Sequence, residues 1–322
     1  MPEAPAPLRL LDVGAVPPLR SQALYHGLGA SLDETAPDTL VLCRPSAPYL
    51  SVGFSRRPAE ELDLPWCRAA ALPVIQREIG GGSVYLHPSQ LFYQLVVHRR
   101  RAPFAVAAIY RRFLGPVVEA LQALGLRAAL AGVNEIEVDG RRIAGTGGGQ
   151  IGEAMVVVGN VLRDFPVEVM GRAWRVPSEA FRRLAVEGLR RHLVTLDETL
   201  GPEAPQPEAL GRRIAQAYAR ALDRPLVAGA LTPAEEAAVR REERRLARLA
   251  PDGLAAPARP ARLKLTGRAW VGEWTWPGAG GPARVTARIA DGRIEALEVA
   301  GPLPPHEAAR RVAGTLAERD GR

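Results

Sequence analysis

The stretch that decides the fold is PVIQREIGGGSVYLHPSQLFYQLVV, residues 73–97. Residues 73–77 and the strongly apolar run at 91–97 each predict a buried strand. Three consecutive glycines at 80–82 lie between the two runs. Consecutive glycines let a backbone approach a ligand closely and present its N–H groups. Because Arg77 stands just before them, the sequence predicts an anion-binding loop that connects two strands.

The sequence on either side predicts further strands and helices. Residues 38–53 contain two apolar runs with a proline break, which is typical of two strands separated by a turn. Residues 104–124 repeat their apolar positions with helical spacing. A hairpin is predicted over 134–144, with Asp139-Gly140 as its two-residue turn. A second glycine cluster, GTGGGQIG, follows at 145–152.

The chain of 322 residues is long enough for two domains. Residues 251–260 are rich in proline, alanine and glycine, which predicts a domain boundary. Beyond it, two alternating segments joined by Asp291-Gly292 predict another hairpin, and residues 305–316 predict a closing helix. We therefore expect one α/β domain over residues 1–250 and a small α+β module over 255–322.

Composition narrows the class of protein. The net charge is +7, but Lys264 is the only lysine, so the arginine excess indicates genomic bias rather than a nucleic-acid surface. No base-reading motif is recognisable. No apolar run is long enough to span a membrane, and the first residues do not have the pattern of a secretory signal. Two distant cysteines, Cys43 and Cys67, fit a reducing compartment. We expect a cytoplasmic protein without a membrane or nucleic-acid partner.

Motifs for metals and nucleotides are few. No cluster of His, Cys and Asp has metal-ligand spacing, and no GxxxxGK[ST] motif is present. His87 follows the glycines closely and is a candidate ligand contact, whereas His26 is isolated in the sequence. Glu135 and Glu153 have the chemistry to hold Mg²⁺ with a nucleotide, although their spacing alone is a weak signal. We therefore predict no protein-bound metal.

The segment 73–97 resembles the signature of lipoate–protein ligases and octanoyltransferases, in which a strand, an arginine and a triple glycine precede an apolar strand. PYLSVGFSRRPAEELDLPWCRAAALPV at 48–74 follows the same pattern, and GVNEIEVDGRRIAG at 132–145 is similar to the family's Asn-Asp-hydrophobic hairpin. VPSEAFRRLAVEGLRRHLVTL at 176–196 resembles the segment after the catalytic core. The resemblance implies an α+β fold (mixed α/β): a sheet with flanking helices, shared with biotin–protein ligases, and a small C-terminal accessory domain.

The resemblance also implies roles for individual residues. Arg142 falls at the position of the family's ligand-binding lysine and would be the catalytic residue. Arginine keeps the positive charge but cannot release its proton near neutral pH. The transferase branch uses that lysine as an acid–base group and also uses a nucleophilic cysteine. We interpret Cys43 and Cys67 as buried small residues instead. The residues implied in substrate and nucleotide binding are Arg77, Gly80, Gly81, Gly82, Ser83, Val84, Tyr85, Asn134, Gly145, Thr146 and Gly147, with His87 as a further candidate.

The activity that the resemblance implies is ATP-dependent ligation. With ATP and Mg²⁺, lipoate or octanoate would be activated as an acyl-adenylate and transferred to a lysine of a lipoyl carrier domain, of the 2-oxoacid dehydrogenase E2 or glycine-cleavage H protein type. Two alternatives stand beside it. One is a ligase-like binding protein that has lost catalysis, which the arginine at the lysine position favours. The other is an octanoyltransferase that uses an acyl-carrier thioester and needs no ATP.

Overall fold

The computed structural model describes residues 6–248, 262–277 and 280–320. The α-helices of these ranges are α1 (Pro18–Ser31), α2 (Pro58–Glu61), α3 (Leu64–Ala69), α4 (Val106–Gln122), α5 (Val167–Ala173), α6 (Glu179–His192), α7 (Leu196–Leu200), α8 (Pro207–Leu222), α9 (Pro233–Arg248) and α10 (Pro305–Asp320). The strands are β1 (Leu8–Val16), β2 (Thr39–Pro45), β3 (Tyr49–Val52), β4 (Val74–Gln76), β5 (Ser83–Leu86), β6 (Gln90–His98), β7 (Ala128–Ala131), β8 (Glu135–Val138), β9 (Arg141–Ile151), β10 (Ala154–Leu162), β11 (Leu226–Ala228), β12 (Arg262–Lys264), β13 (Ala269–Trp276), β14 (Ala283–Ala290) and β15 (Arg293–Ala300).

These elements form two compact units. In the described residues, the first unit comprises 6–58, 67–165 and 194–248, and the second comprises 59–66, 166–193, 262–277 and 280–320. The predicted domain boundary at 251–260 lies outside the described residues, and the division into 1–250 and 255–322 stays a prediction.

The first unit is built on an eight-stranded mixed sheet, the main sheet, with the strand order β11-β1-β2-β6-β10-β9-β8-β7. Strand β1 runs parallel to β11 and β2, and the other neighbours are antiparallel. All nine residues of β6 are buried. Central strands that are covered on both faces have continuous apolar runs rather than alternating ones, which is why this segment was recognisable in the sequence.

Two apolar cores cover the two faces of the main sheet. On one face, Phe113 of α4 and Tyr218 of α8 pack with Tyr93 and Leu95 of the sheet. On the other face, side chains of α1, α9 and a small second sheet pack in a separate core, which includes Val156. That small sheet has the order β4-β3-β5. The residues 77–82 between β4 and β5 therefore lie on this second face, which we call the ligand face.

The second unit contains a four-stranded antiparallel sheet, β12-β13-β14-β15. Val285, Ala287 and Ile289 of β14 pack with side chains of α10 in its core. On α6, Gly188 has no side chain, and a Cβ there would lie 2.3 Å from the side chain of Leu265. The predicted hairpin at Asp291-Gly292 is confirmed as β14–β15, whereas β12 and β13 were not predicted.

The predicted fold class is confirmed: a mixed sheet with flanking helices, and a small C-terminal α+β module. In the ranges that the structure describes, no helix is both long and apolar enough to cross a bilayer.

Candidate active site

The loop that the sequence singled out, residues 77–82, is held in place by its neighbours. We call it the glycine loop. Its first residue, Arg77, donates its backbone N–H to the carbonyl of Val52 at 2.9 Å, and the N–H of Phe54 binds the carbonyl of Ile79 at 3.1 Å. Gly53 has no side chain where the carbonyl oxygen of Gly81 passes, and a Cβ at this position would collide with that oxygen. The loop therefore has a defined conformation.

The guanidinium of Arg77 binds backbone carbonyls of its own loop. Its Nη2 donates to the carbonyls of Gly80 and Gly82, both at 2.9 Å, and its Nη1 donates to Ser51 Oγ at 3.2 Å. Arg77 is 8% exposed, and its burial lowers the pKa of the guanidinium. No carboxylate in the described part of the chain pairs with it. The loop therefore lies on a buried positive charge that is not neutralised, which favours an anionic ligand.

The three glycines serve different purposes. Gly81 has a φ of 106°, and a Cβ on it would lie 2.6 Å from Arg77 Nη2. Gly81 is therefore required for the loop's own structure. Around the Cβ positions of Gly80 and Gly82, no atom lies within 4 Å. These two glycines leave open space above the backbone, where a ligand has room to approach.

We expect Gly82→Val to weaken ligand binding at least tenfold while changing the thermal midpoint little. The branched side chain would fill the open space above the loop without meeting protein atoms. Calorimetric titration and a thermal melt of the same sample would check this. Gly81→Val is the comparison, since its strained φ should lower stability and binding together. Equal losses of stability in both variants would show that Gly82 is also structural.

Strand β9 faces the glycine loop across the ligand face. The glycines Gly147 and Gly149 point toward the loop: Cβ atoms on them would lie 3.3 and 3.6 Å from side-chain carbons of Ile79. Gly147 is also close to the carbonyl of Gly80, at 3.7 Å from the Cβ position. The two glycine-rich segments, which are far apart in sequence, therefore meet. The structure brings together the sequence-predicted residues Gly80 and Gly147.

A series of hydrogen-bonding side chains leads from β9 to β5, and its central residues, Asn160 and Gln90, were not predicted as site residues. Asn160 lies opposite Gly145, and its Oδ1 would be 2.9 Å from a Cβ there. Its Nδ2 donates to Gln90 Oε1 at 3.0 Å, and Gln90 Nε2 donates to the carbonyl of Tyr85 at 3.4 Å. The signal in the sequence was a polar residue within the apolar strand β10 and another at the first position of the buried strand β6.

Asn134 and Thr146 bind each other rather than facing open space. Asn134 Nδ2 donates to the backbone carbonyl of Thr146 at 3.3 Å, and the Thr146 hydroxyl donates to the backbone carbonyl of Asn134 through a short hydrogen bond. Their role in the structure is to fix the turn before β8 against β9. Ligand binding by these two side chains stays a prediction.

Arg142 lies on the ligand face at the start of β9. The strand register places Arg142 opposite Glu137 of β8. The neighbours of Glu137 on β8, Ile136 and Val138, point into the core on the opposite face of the main sheet, so Glu137 and Arg142 are on the ligand face. Its Nη1 is 3.4 Å from Glu135 Oε1, and its side chain is 22% exposed. Its Nε is buried without a hydrogen-bond partner. An arginine placed in this way retains a donor for a ligand, although a carboxylate shares its charge.

The residues after the glycines divide between the surface and the interior. Ser83 pairs with Val52 in the small sheet, and the side chain of Val84 is exposed. Tyr85 is buried, and its ring stacks on His87 at 5.3 Å between centroids. His87 Nε2 contacts the carbonyl of Asp164 at 3.0 Å, and burial lowers the pKa of the imidazole. His87 is thus tied to a backbone group, and ligand contact by His87 stays a prediction.

Both cysteines of the chain are inaccessible. Cys43 on β2 and Cys67 on α3 are each 1% exposed. Burial raises the pKa of the Cys43 thiol well above its usual range. A nucleophilic cysteine needs an accessible thiolate, and Cys43 lacks both properties. The prediction that the two cysteines are buried small residues is confirmed.

One group of residues has the donor atoms of a metal site, and the sequence reasoning missed it because its members are far apart in the chain. Ligand atoms of His26, Glu78 and Glu242 lie within 4.8 Å of one another. Arg245, however, contacts both carboxylates, at 2.5 and 2.7 Å. His26 Nε2 accepts the N–H of Glu78 at 3.5 Å, so the proton of the neutral ring is on Nδ1. The positively charged guanidinium of Arg245 therefore already pairs with the two carboxylates that a metal ion would bind.

The two acidic residues considered for Mg²⁺ do not share a site. Glu135 pairs with Arg142, near the Asn160 end of β10. Glu153 pairs with Arg99 at 2.7 Å, just before the first residue of β10. Glu137 lies closer to Glu135 than Glu153 does, because Glu137 is two residues further along β8 and on the same face.

Comparison with known proteins agrees with this architecture. Residues 17–219 match the family model of the lipoyl protein ligase A/B catalytic domain. The octanoyltransferase LipM of Symbiobacterium thermophilum is 27% identical over 256 residues, which cover 71% of this chain and 91% of that protein. The lipoate-protein ligase LplJ of Bacillus subtilis is 25% identical over 153 residues, which cover 48% of this chain and 45% of the ligase.

Solved structures show the same fold. The bi-partite lipoate protein ligase of Thermoplasma acidophilum superposes with a TM-score of 0.68 at 19% identity, covering 75% of this chain and 93% of that one. Lipoate-protein ligase A bound with ATP has a TM-score of 0.63 at 18% identity, covering 74% and 94%. Since the family model spans well over half of the sequence, the chain belongs to the lipoyl protein ligase A/B catalytic domain family.

Proposed function

We propose that this protein activates lipoate or octanoate with ATP and transfers the acyl group to a lysine of a lipoyl carrier domain. The observation that carries the proposal is the open glycine loop above the buried, unneutralised Arg77. Backbone N–H groups and a fixed positive charge are suited to a phosphate or carboxylate. The apolar core of the ligand face beside the loop is suited to an acyl tail.

A nucleotide fits the residues present. Its phosphate would lie over Gly80 and Gly82, where the backbone is unobstructed. Mg²⁺ prefers oxygen ligands, and Glu135 and Glu137 on the same face would be the residues that hold it. The ion would neutralise phosphate charge during activation. One solved structure with this fold is a lipoate-protein ligase bound with ATP, which supports the proposal by analogy.

The chemistry needs positioning more than proton transfer. In activation, a carboxylate oxygen of the acid displaces pyrophosphate from the α-phosphate of ATP. The carrier lysine then attacks the acyl carbonyl, and AMP leaves. Arg142 would stabilise the negative charge that develops on carbonyl or phosphate oxygens, and its unpartnered Nε offers a donor for them. An arginine performs this role without releasing a proton.

Octanoyl transfer from an acyl-carrier thioester is the second candidate. It is favoured by the extent of the match, because this chain covers 91% of an octanoyltransferase but less than half of the ligase LplJ. The burial of both Cys43 and Cys67 argues against a cysteinyl intermediate. A thioester route would therefore require direct attack by the carrier lysine.

A ligase-like binding protein is the third candidate, and the contact between Arg142 and Glu135 favours it. If the carboxylate neutralises the guanidinium, an acyl ligand would be held without being activated.

One experiment separates the three candidates. The protein is incubated with a lipoyl domain and octanoate or lipoate, with and without ATP and Mg²⁺, and separately with an octanoyl-carrier thioester. Intact mass spectrometry then measures acylation of the domain. We expect acylation that requires ATP. Acylation from the thioester alone would establish the transferase, and binding without acylation in any mixture would establish the binder. The Gly82→Val variant is the matched control for reaction at this site.

A further inference from the structure

On the ligand face, strand β9 has glycine at positions 145, 147 and 149. Gly147 and Gly149 of β9 both point toward the glycine loop, and the space that they leave is filled by Ile79. Its Cδ1 lies 3.3 Å from the Cβ position of Gly147, and its Cγ2 lies 3.6 Å from that of Gly149. Ile79 is 3% exposed and belongs to the apolar core of this face.

Ile79 is therefore an apolar residue of the glycine loop, and it directly precedes Gly80, above which a ligand has room. Gly80 has no atom within 4 Å of its Cβ position, whereas Ile79 points inward against β9. Gly145, Gly147 and Gly149 are at alternate positions of one strand, so they share one face. From Arg142 to Gly147 the strand rises roughly 15 Å. Along this face, every position of β9 between Arg142 and the contacts with Ile79 is a glycine.

We propose that Ile79 sets the length of the acyl chain that this site accepts, an inference that rests on the proposed function. A chain whose carbonyl lies at Arg142 and whose tail follows the glycines of β9 ends against the Ile79 side chain. Truncating Ile79 to alanine removes three carbon atoms and leaves room for two or three more methylenes. Each methylene buried there strengthens binding about fourfold.

The test is a chain-length profile. Dissociation constants of saturated carboxylic acids with six to twelve carbons are measured by isothermal titration calorimetry for the wild type, Ile79→Ala and Ile79→Val. We expect the optimum to move to longer acids by two or three carbons in Ile79→Ala, and by about one carbon in Ile79→Val. Ile109→Ala is the matched control: Ile109 is buried in α4 in the core of the other face, so its truncation should leave the profile unchanged.

Gly149→Ala tests the same proposal from strand β9. A methyl group at Gly149 would make ordinary contact with Ile79 at 3.6 Å, so the fold should tolerate it. Because the methyl adds volume beside Ile79 on the ligand face of β9, we expect the optimum to move to shorter acids, and the double variant Gly149→Ala/Ile79→Ala to recover part of that loss. This variant also keeps the test decisive if Ile79→Ala does not fold.

The outcomes distinguish this inference from the proposed function. If the acids bind but the profile is the same in the wild type, Ile79→Val and Gly149→Ala, Ile79 does not set chain length, and the acyl site itself stands. If the folded wild type binds none of the acids, both the inference and the acyl site are wrong.

Discussion

Arg77→Met should lower acyl transfer to the carrier domain by at least a hundredfold and destabilise the protein. The substitution leaves the carbonyls of Gly80 and Gly82 without their donor. Hydrogen bonds to a charged donor contribute about 1.5–3 kcal/mol, and unsatisfied buried groups add a penalty. We therefore expect the free energy of unfolding to fall by about 2–4 kcal/mol, measured by denaturant titration. The larger effect on activity follows from loss of the positive charge beneath the loop.

Two further variants make this result interpretable. Arg77→Lys keeps the charge, but a single ammonium lacks the planar fork that serves two carbonyls and Ser51 together. It should have intermediate activity. Arg68→Met changes an exposed arginine on α3 and should be nearly silent. Wild-type activity in Arg77→Met would mean that the loop neither needs this donor nor uses its charge.

Arg142→Ala should weaken binding of a non-reactive acyl-adenylate analogue by about 10- to 150-fold, equivalent to about 1.5–3 kcal/mol for a charged hydrogen bond. The reason is the position of Arg142 on the ligand face with a buried, unpartnered Nε. Arg142→Lys should retain binding, because the compact ammonium keeps the charge. Calorimetry gives the affinities, and intact mass of the carrier domain gives the transfer rates.

The matched control for this position is the preceding residue. Arg141 pairs with Val138 in the strand register, so it points to the opposite face, and its guanidinium binds Glu198 at 2.6 Å. Arg141→Ala should leave analogue binding within about twofold, as expected for a residue outside the site. If both Arg142 variants behave like Arg141→Ala, then Arg142 has no role in the ligand site, and the binding-protein alternative gains support.

The elements recognised in the sequence were those specified by local patterns. The continuous apolar run at 91–97 became the fully buried strand β6. The hairpin turn predicted at Asp139-Gly140 is confirmed, and both residues have positive φ, 51° and 76°, as two-residue hairpin turns of this kind require. The helix predicted over 104–124 is α4, although it is shorter at both ends.

Other elements were not recognisable because contacts elsewhere in the second unit decide them. The charged stretch at 58–71 forms two short helices, α2 and α3. Between them Leu62 bridges to Trp174, and the N–H of Asp63 binds the carbonyl of Ala173. The Asp63 carboxylate then accepts the N–H of Trp66 at 3.1 Å and caps α3.

The candidate site likewise has features that the sequence predicted and contacts that only the tertiary structure shows. The sequence by itself predicted that a triple glycine after Arg77 joins two buried strands; the loop in fact connects β4 with the short strand β5, which precedes the buried β6. It also showed that Arg142 follows a hairpin turn, because strand period and turn chemistry act over a few residues. Only the tertiary structure decided that the Arg77 guanidinium binds its own loop, that Asn160 meets Gln90, and that Ile79 fills the space over Gly147. Those contacts depend on the strand order of the main sheet, which is fixed by the burial of whole faces rather than by any local segment.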